Sequence, residues 1–398
     1  MTNDIAVAGA MLGAPESSFL RSKQAYQLRR FAPMQRKVTI NDPPTDDAQA
    51  NKSRGKLDRC VRGFPRITFS GFRGELAKPA SPGSEVHMNF DVRSAYVAWL
   101  NVRFSLVFVL AARKVAHDDL ISAMLLGCVV GANLDHLDQR PEDTRRFGPL
   151  GSATDADRHP VNSKSLSDAL GVPRETVRAK IGALVDTGVL RRVEHGVILP
   201  AATVSSPAVR TTSAAYLEAL DELVTGLALV DACGIERGYH LVQPSWPMAG
   251  AALRLGAHHV VRGLVYARNL TENLSLTDAF ILLAVIHLTG AHLRRSLEMA
   301  DDVGELATLQ PPMGPVRGSA VASFLEMPDA TVRRHLDALV VHDHLVRSAA
   351  GYDVVMRPDL LELWERFQYR TMAATAQFMW RLLQSGVVSP PFAQVTAS

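Results

Sequence analysis

The period of the apolar positions changes along the chain, and the series of changes then repeats. From Ser94 to Val115 the run SAYVAWLNVRFSLVFVLAARKV is apolar almost all round, which predicts a helix buried on most of its faces. A second such helix is predicted from about Asp118 to Leu134. Between 161 and 200 the apolar positions thin to stripes. Leu166, Ala169 and Leu170 fall on one side of a short helix, and Val177, Ile181, Leu184 and Val185 recur at i, i+4, i+7 and i+8 of the next. Gly171 suits the end of the first helix, and Pro173 suits the first turn of the second. After Gly188, the segments Val189-Leu190 and Val197-Ile198-Leu199 flank two arginines and a Glu-His-Gly turn and read as a β-hairpin. Pro200 to Arg210 reads as a linker, and Ser213 to Cys233 as a long amphipathic helix.

Shifted by 155 residues, 161–200 aligns without a gap on 316–355. Leu170 meets Leu325, Pro173 meets Pro328, Thr176-Val177-Arg178 meets Thr331-Val332-Arg333, and Gly196 meets Gly351. Upstream, Ala112-Arg113 meets Ala267-Arg268 at the same offset, while Gly131 to Leu134 meets Gly290 to Leu293 at 159, which implies a four-residue difference in the intervening turn. A long closing helix is predicted from about Pro358 to Ser385. An internal repeat fixes the architecture before any fold is proposed. The chain divides into a largely irregular basic segment (1–88), a first repeat (89–233), a linker (234–251), a second repeat (252–385) and a tail (386–398). The fold class is mainly α: two repeated units with small β hairpins, joined by long core helices.

The pattern at 171–190 resembles the winged helix-turn-helix of bacterial transcription regulators. The residues that carry the resemblance are Gly171-Val172-Pro173-Arg174-Glu175-Thr176-Val177-Arg178, Leu184-Val185 and Gly188-Val189-Leu190. The order of elements over roughly 90–385 is similar to the MarR type, in which terminal helices form a dimer and each subunit offers one winged element. Here both copies stand in one chain. The resemblance therefore implies a covalent pseudo-dimer, with double-stranded DNA as partner and with homodimerisation and a small-molecule effector left open.

In such an element the second helix meets base edges, while the wing and the helix starts meet phosphates. With Val177 inward, the outward face holds Glu175, Ala179, Gly182 and Asp186, flanked by Thr176 and Arg178. Arg178 is the best candidate for a guanine contact, because a guanidinium matches O6 and N7 bidentately. Lys164, Arg174, Thr176, Lys180, Arg191 and Arg192 are phosphate candidates. In the second copy the face is Ala330, Arg334 and Asp337, flanked by Thr331 and Arg333, with Arg317 and Arg347 nearby. Arg334 replaces Ala179 and Asp337 replaces Gly182, so the two copies are expected to read unlike half-sites. The first copy holds six Lys/Arg to four Asp/Glu, and the region 316–357 holds five to five.

Net charge is +3 over 398 residues, which does not by itself point to nucleic acid. Residues 1–85, however, hold 14 Lys/Arg against 8 Asp/Glu. Within them, residues 60–74 interleave Arg62, Arg66 and Arg73 with Phe64, Phe69 and Phe72. That stretch reads either as an arm along DNA or as a solvated tail. Three scattered cysteines give neither a disulfide frame nor a metal-spaced pair. No secretory leader is visible, no uninterrupted apolar run reaches membrane length, and a cytoplasmic, nucleoid-associated protein is expected. His258, His259, His287 and His292 lie on apolar helices without acidic or thiol partners and read as core or surface histidines. No phosphate loop, nucleophile triad or carboxylate pair stands out, so neither an enzyme nor a cofactor is expected. The expectation is a sequence-specific DNA-binding transcription regulator. A plasmid or phage replication initiator and a chromosome-associated, protein-binding scaffold are the alternatives.

Overall fold

The structure is a computed structural model and describes residues 92–138, 147, 153–242, 246–271, 274–291, 314–355 and 358–391. Of these, 69% are helical and 7% lie in strands, so the class is mainly α. The basic segment 1–88, its Arg/Phe stretch and His292 lie outside the described residues.

The first half opens on two core helices, α1 (Val92–Val115) and α2 (Leu120–Leu134). Asp119 caps α2 by accepting from Ser122 N, which satisfies one of the N–H groups a first turn leaves open. A short pair follows, α3 (Ser163–Leu170) and α4 (Arg174–Asp186). Strands β1 (Arg191–Val193) and β2 (Gly196–Ile198) pair antiparallel, with Arg192 opposite Val197. Helices α5 (Ala201–Val204) and α6 (Pro207–Leu229) close the half. The second half runs β3 (His240–Leu241), α7 (Trp246–Leu270), α8 (Leu276–Thr289), α9 (Gly318–Leu325), α10 (Asp329–Val341), β4 (Leu345–Arg347), β5 (Tyr352–Val354), α11 (Pro358–Gln384) and β6 (Val388–Ser389).

The repeat holds in three dimensions. Helices α3 and α4 correspond residue for residue to α9 and α10 at the offset of 155, and α1, α2 and α6 end 155 residues before α7, α8 and α11. Each short helix pair is tied to its hairpin by one bridge, Val161 to Val197 and Val316 to Tyr352. In both places a glycine is demanded. Gly196 has φ +151 and Gly351 φ +145, and a Cβ at either would run into the carbonyl of Val161 or Val316. The turn between core helices spans 116–119 in the first half and 271–275 in the second, so the four-residue difference inferred from the alignment at 159 shrinks to one.

Other boundaries move as well. The closing helix of the first half starts at Pro207, inside the expected linker, because Ser206 caps it and Pro207 occupies its first turn. The expected linker 234–251 supplies the start of α7, and its strand β3 pairs antiparallel with β6 of the tail, His240 opposite Ser389. Strands of two residues carry no periodicity to read. By length and mean hydropathy, Arg93–Val115 and Leu120–Leu137 are each apolar enough to cross a bilayer, although neither is an uninterrupted apolar run; 72% of each such window is buried inside the fold.

One hydrophobic cluster runs through both halves. Helix α1 packs on α2 and α6 of its own half and on α7, α8 and α11 of the other. Phe104 on α1 is fully buried, its ring 5.5 Å from Tyr216 on α6 and 5.6 Å from Phe378 on α11. Polar groups inside are paired across the same boundary. Trp99 Nε1 donates to His287 O at 2.9 Å, Tyr216 Oη donates to Ala252 O at 2.5 Å, and Asn101 Oδ1 lies 2.7 Å from His259 Nε2 and accepts from Thr375 Oγ1 at 2.8 Å. Such pairing is what makes polar atoms tolerable in an apolar core. Burial, then the nearby guanidinium of Arg262, holds His259 down to about 3. Burial and then Arg103 hold His287 down to about 4.

Candidate nucleic-acid interface

Each half presents a short helix, a turn, a longer helix and a hairpin, and the candidate residues lie on these. In the first head Lys164, Arg174, Glu175, Thr176, Arg178, Ala179, Arg191 and Arg192 are exposed, Lys180 is half-buried, and Val177, Ile181 and Leu184 face the core. The period-3.6 reading therefore places the outward face of α4 correctly. Gly182 has open space where a Cβ would stand. In the second head Arg317, Arg333, Arg334 and Arg347 are exposed and Thr331 is half-buried.

Charge pairing divides the cations into two sets. Arg178 Nη1 pairs with Glu175 Oε1 one turn earlier at 2.8 Å, and Arg333 Nη2 with Asp329 Oδ2 at 2.7 Å. Both pairs are exposed, where such bridges contribute only about 0–1 kcal/mol, so neither holds its guanidinium against a stronger anion. Lys180 and Arg191 pair with acids from other elements. Lys180 Nζ lies 2.7 Å from Asp119 Oδ2, the cap of α2, and Arg191 Nη2 lies 2.9 Å from Asp155 Oδ2. Burial raises the Asp119 carboxyl, but bonds from Lys180 and Ser122 outweigh it and leave its pKa below the ordinary value. Both are also expected phosphate ligands, and in the free chain each pairs with an acid outside the helix pair and hairpin. Lys164, Arg174, Arg192, Arg317 and Arg334 have no ion-pair partner among the described residues.

The two heads differ where they are most exposed. Arg192 on the first hairpin is unpaired, whereas its counterpart Arg347 lies 3.5 Å from Asp337 Oδ1 and 5.7 Å from the centre of the Tyr352 ring. Asp337 stands where the first head has Gly182. The positions of Asp186 and Arg191 are taken by Val341 and Val346, 78% and 51% exposed.

Sequence reasoning missed the contacts that hold the heads. Arg113, at the end of α1, crosses to the second head. Its Nη1 donates to Leu325 O at 2.7 Å and its Nη2 to Glu326 O at 2.9 Å, at the carbonyl end of α9. A cation there is also favoured by the helix dipole. Beside it Lys114 pairs with the Glu326 carboxylate. Arg268, 155 residues later on α7, crosses the other way. Its guanidinium covers Gly171, the counterpart of Glu326, so closely that a Cβ there would have to push it aside. The alignment of Ala112-Arg113 with Ala267-Arg268 was the available signal.

The described histidines weighed as ligands, His258, His259 and His287, are internal. His258 Nε2 lies 3.2 Å from Asp135 Oδ1, yet burial and the guanidiniums of Arg381 and Arg262 outweigh that carboxylate and hold the imidazole neutral, down to about 3. No cluster of three or more metal-ligating side chains occurs among the described residues. No family model, no curated protein and no solved structure matches the chain.

Proposed function

We propose that this chain is a sequence-specific double-stranded DNA-binding transcription regulator, with two winged helix-turn-helix heads on one covalent, pseudo-dimeric core. The observation that carries this reading is the helix–turn–helix–hairpin built twice at one offset, each time with a second helix that exposes an arginine at its fifth residue, Arg178 and Arg333. Helix α4 enters the major groove. Ala179 and Gly182 keep its face low, Arg178 leaves Glu175 for a guanine edge, and Lys164, Arg174, Thr176 and Arg192 meet phosphates. Lys180 and Arg191 orient the head through Asp119 and Asp155. In the second head Arg334 takes the central reading position, with Arg317, Thr331 and Arg333 beside it. One chain supplies both heads, the chemistry needs no cofactor, and the chain works in the cytoplasm on the nucleoid.

Random-site selection followed by footprinting tests this. The expected result is a defined, asymmetric duplex site, with Arg178→Ala costing about 1–3 kcal/mol at one base pair. A set of directly repeated sites governing replication would point to an initiator instead. Weak, sequence-blind binding would favour the second reading, a protein-binding scaffold, for which exposed Val341 and Val346 are the supporting observation.

A further inference from the structure

We propose that the Arg/Phe stretch at residues 60–74 docks on the outward face of α11 in the same molecule, its phenylalanine rings and guanidiniums against Tyr369 and Trp380. Four large apolar side chains are exposed among the described residues, and two of them, Tyr369 at 65% and Trp380 at 52%, stand on this helix. At about 100° and about 1.5 Å per residue, the two rings fall within about 20° of each other and about 16 Å apart. Ala373, exposed, and Ala376, half-buried, lie between them on the same face. The face thus reads large, small, small, large: a shallow apolar trough with a ring at each end.

The fold does not require that trough. On α6, 155 residues earlier, the same positions hold Ala214, Glu218, Asp221 and Thr225, all exposed. That is an ordinary solvated face. Scattered surface hydrophobics need no explanation, but rings gathered on one face mark a contact surface.

The place where the preceding chain joins the fold points to the occupant. Helix α1 begins at Val92, and Ser94 Oγ donates to Met372 Sδ on α11 at 3.1 Å. Met372 lies about 60° around the helix from Tyr369 and about 80° from Trp380, so it forms one flank of the trough. The other flank faces α7, where Arg262 donates to Gln377 Oε1 at 2.5 Å and Arg370 lies 5.7 Å from the centre of the Tyr266 ring. The chain before Val92 therefore arrives at the trough's edge. Twenty residues separate Phe72 from Val92 and can span up to about 66 Å, several times the trough's length. A tether of this kind holds its end at an effective concentration in the millimolar range. A second copy of the chain at micromolar concentration would have to bind about a thousandfold more tightly to compete, and two rings per copy offer little for that. Within reach, residues 60–74 carry the matching chemistry. Phe64, Phe69 and Phe72 supply rings for edge or offset stacking, and Arg62, Arg66 and Arg73 supply guanidiniums for the faces of Trp380 and Tyr369. The contact stands whether or not the heads bind DNA.

The test is photo-crosslinking of the full chain with benzoylphenylalanine built in at Phe69, read by peptide mass spectrometry. Cross-links are expected within one chain, to the part of α11 from Tyr369 to Trp380, in equal yield at about 1 and about 50 µM protein, as a tethered contact requires. Tyr369→Ala with Trp380→Thr, which copies Ala214 and Thr225 of the first half, should cut that yield at least about fivefold while the melting temperature holds. Arg62→Ser with Arg66→Ser and Arg73→Ser, which leaves the helical core untouched, should lower it as well. The proposal is overturned if no cross-link reaches α11, if cross-links land on the polar face of α6 or on the heads instead, if they join two chains in a yield that rises with concentration, or if neither set of substitutions lowers the yield.

Discussion

Arg113 and Arg268, counterparts on the two core helices, exchange halves: Arg113 bonds the carbonyl end of α9 in the second head, and Arg268 covers Gly171 at the end of α3 in the first. The second head is therefore hydrogen-bonded to the core helix of the opposite half, and the first is packed against by the core helix opposite it. Hydrogen bonds from a charged donor contribute about 1.5–3 kcal/mol when partly buried, and Arg113 is 9% exposed. Arg113→Met is expected to speed amide exchange in α9 and α10 while α3 and α4 keep their protection; Arg268→Met should do the reverse. Exchange that rises in the mutated residue's own half would show that the clasps do not cross.

The core itself should behave as one cooperative unit. Phe104 is fully buried and touches rings from both halves, Tyr216 and Phe378 among them. Phe104→Ala should cost about 3–5 kcal/mol. It should lower a single unfolding transition that far-ultraviolet ellipticity and tryptophan fluorescence report together. A chain cut between 206 and 210 should give two halves that are insoluble or molten. Two separately folded, monomeric halves would overturn the shared core.

What the sequence made legible follows from where its periods are strong. The near-continuous apolar runs announced α1 and α2, and the 155-residue offset announced that α4 and α10 would face outward alike. Burial of Val177, Val332, Leu184 and Leu339 agrees with that. The cross-element ion pairs were not legible. Lys180 reaches Asp119 and Arg191 reaches Asp155 across long loops, and local pattern carries nothing about which exposed cation finds an acid from another element. A cavity in the first half was hidden for a related reason. It is a gap of about 240 Å³ shared by α1, α2, α5, α6 and α7, and the substitution that keeps it open, Ala111 against Tyr266, looks in sequence like an ordinary exchange on an apolar helix.

Acid should weaken the fold through its buried imidazoles. His259 and His287 are held to about 3 and about 4 in the folded chain, chiefly by burial, against an unfolded value near 6.5. Between those limits the unfolded state binds the extra protons, so stability is complete above about pH 6.5 and is lost as pH falls toward 4. Each imidazole adds a slope of about 1.4 kcal/mol per pH unit in the lower part of that window. Urea unfolding at pH 7.5, 6, 5 and 4.5 measures it. His259→Gln should flatten the acid limb. A limb of unchanged steepness would assign the loss to other groups.

The strongest asymmetry between the heads lies on their hairpins, and it predicts unequal grips on a polyanion. Arg192 has no ion-pair partner among the described residues, and Gly182 stands at the position of Asp337. Arg347, its counterpart, is shared between Asp337 and the face of Tyr352. On binding duplex DNA, each phosphate neutralised adds about 0.9 to the slope of log K against log salt. Arg192→Ala should remove about one such unit, whereas Arg347→Ala should remove much less. Asp337→Gly recreates the first head's arrangement. It frees Arg347 and removes a carboxylate from the face, so affinity at low salt should rise and the slope should steepen by about one unit. Anisotropy titrations of the selected site between 50 and 300 mM salt would read all three variants. If Arg347→Ala and Arg192→Ala flatten the slope equally, Asp337 does not restrain the second hairpin, and the heads grip DNA alike despite their different faces.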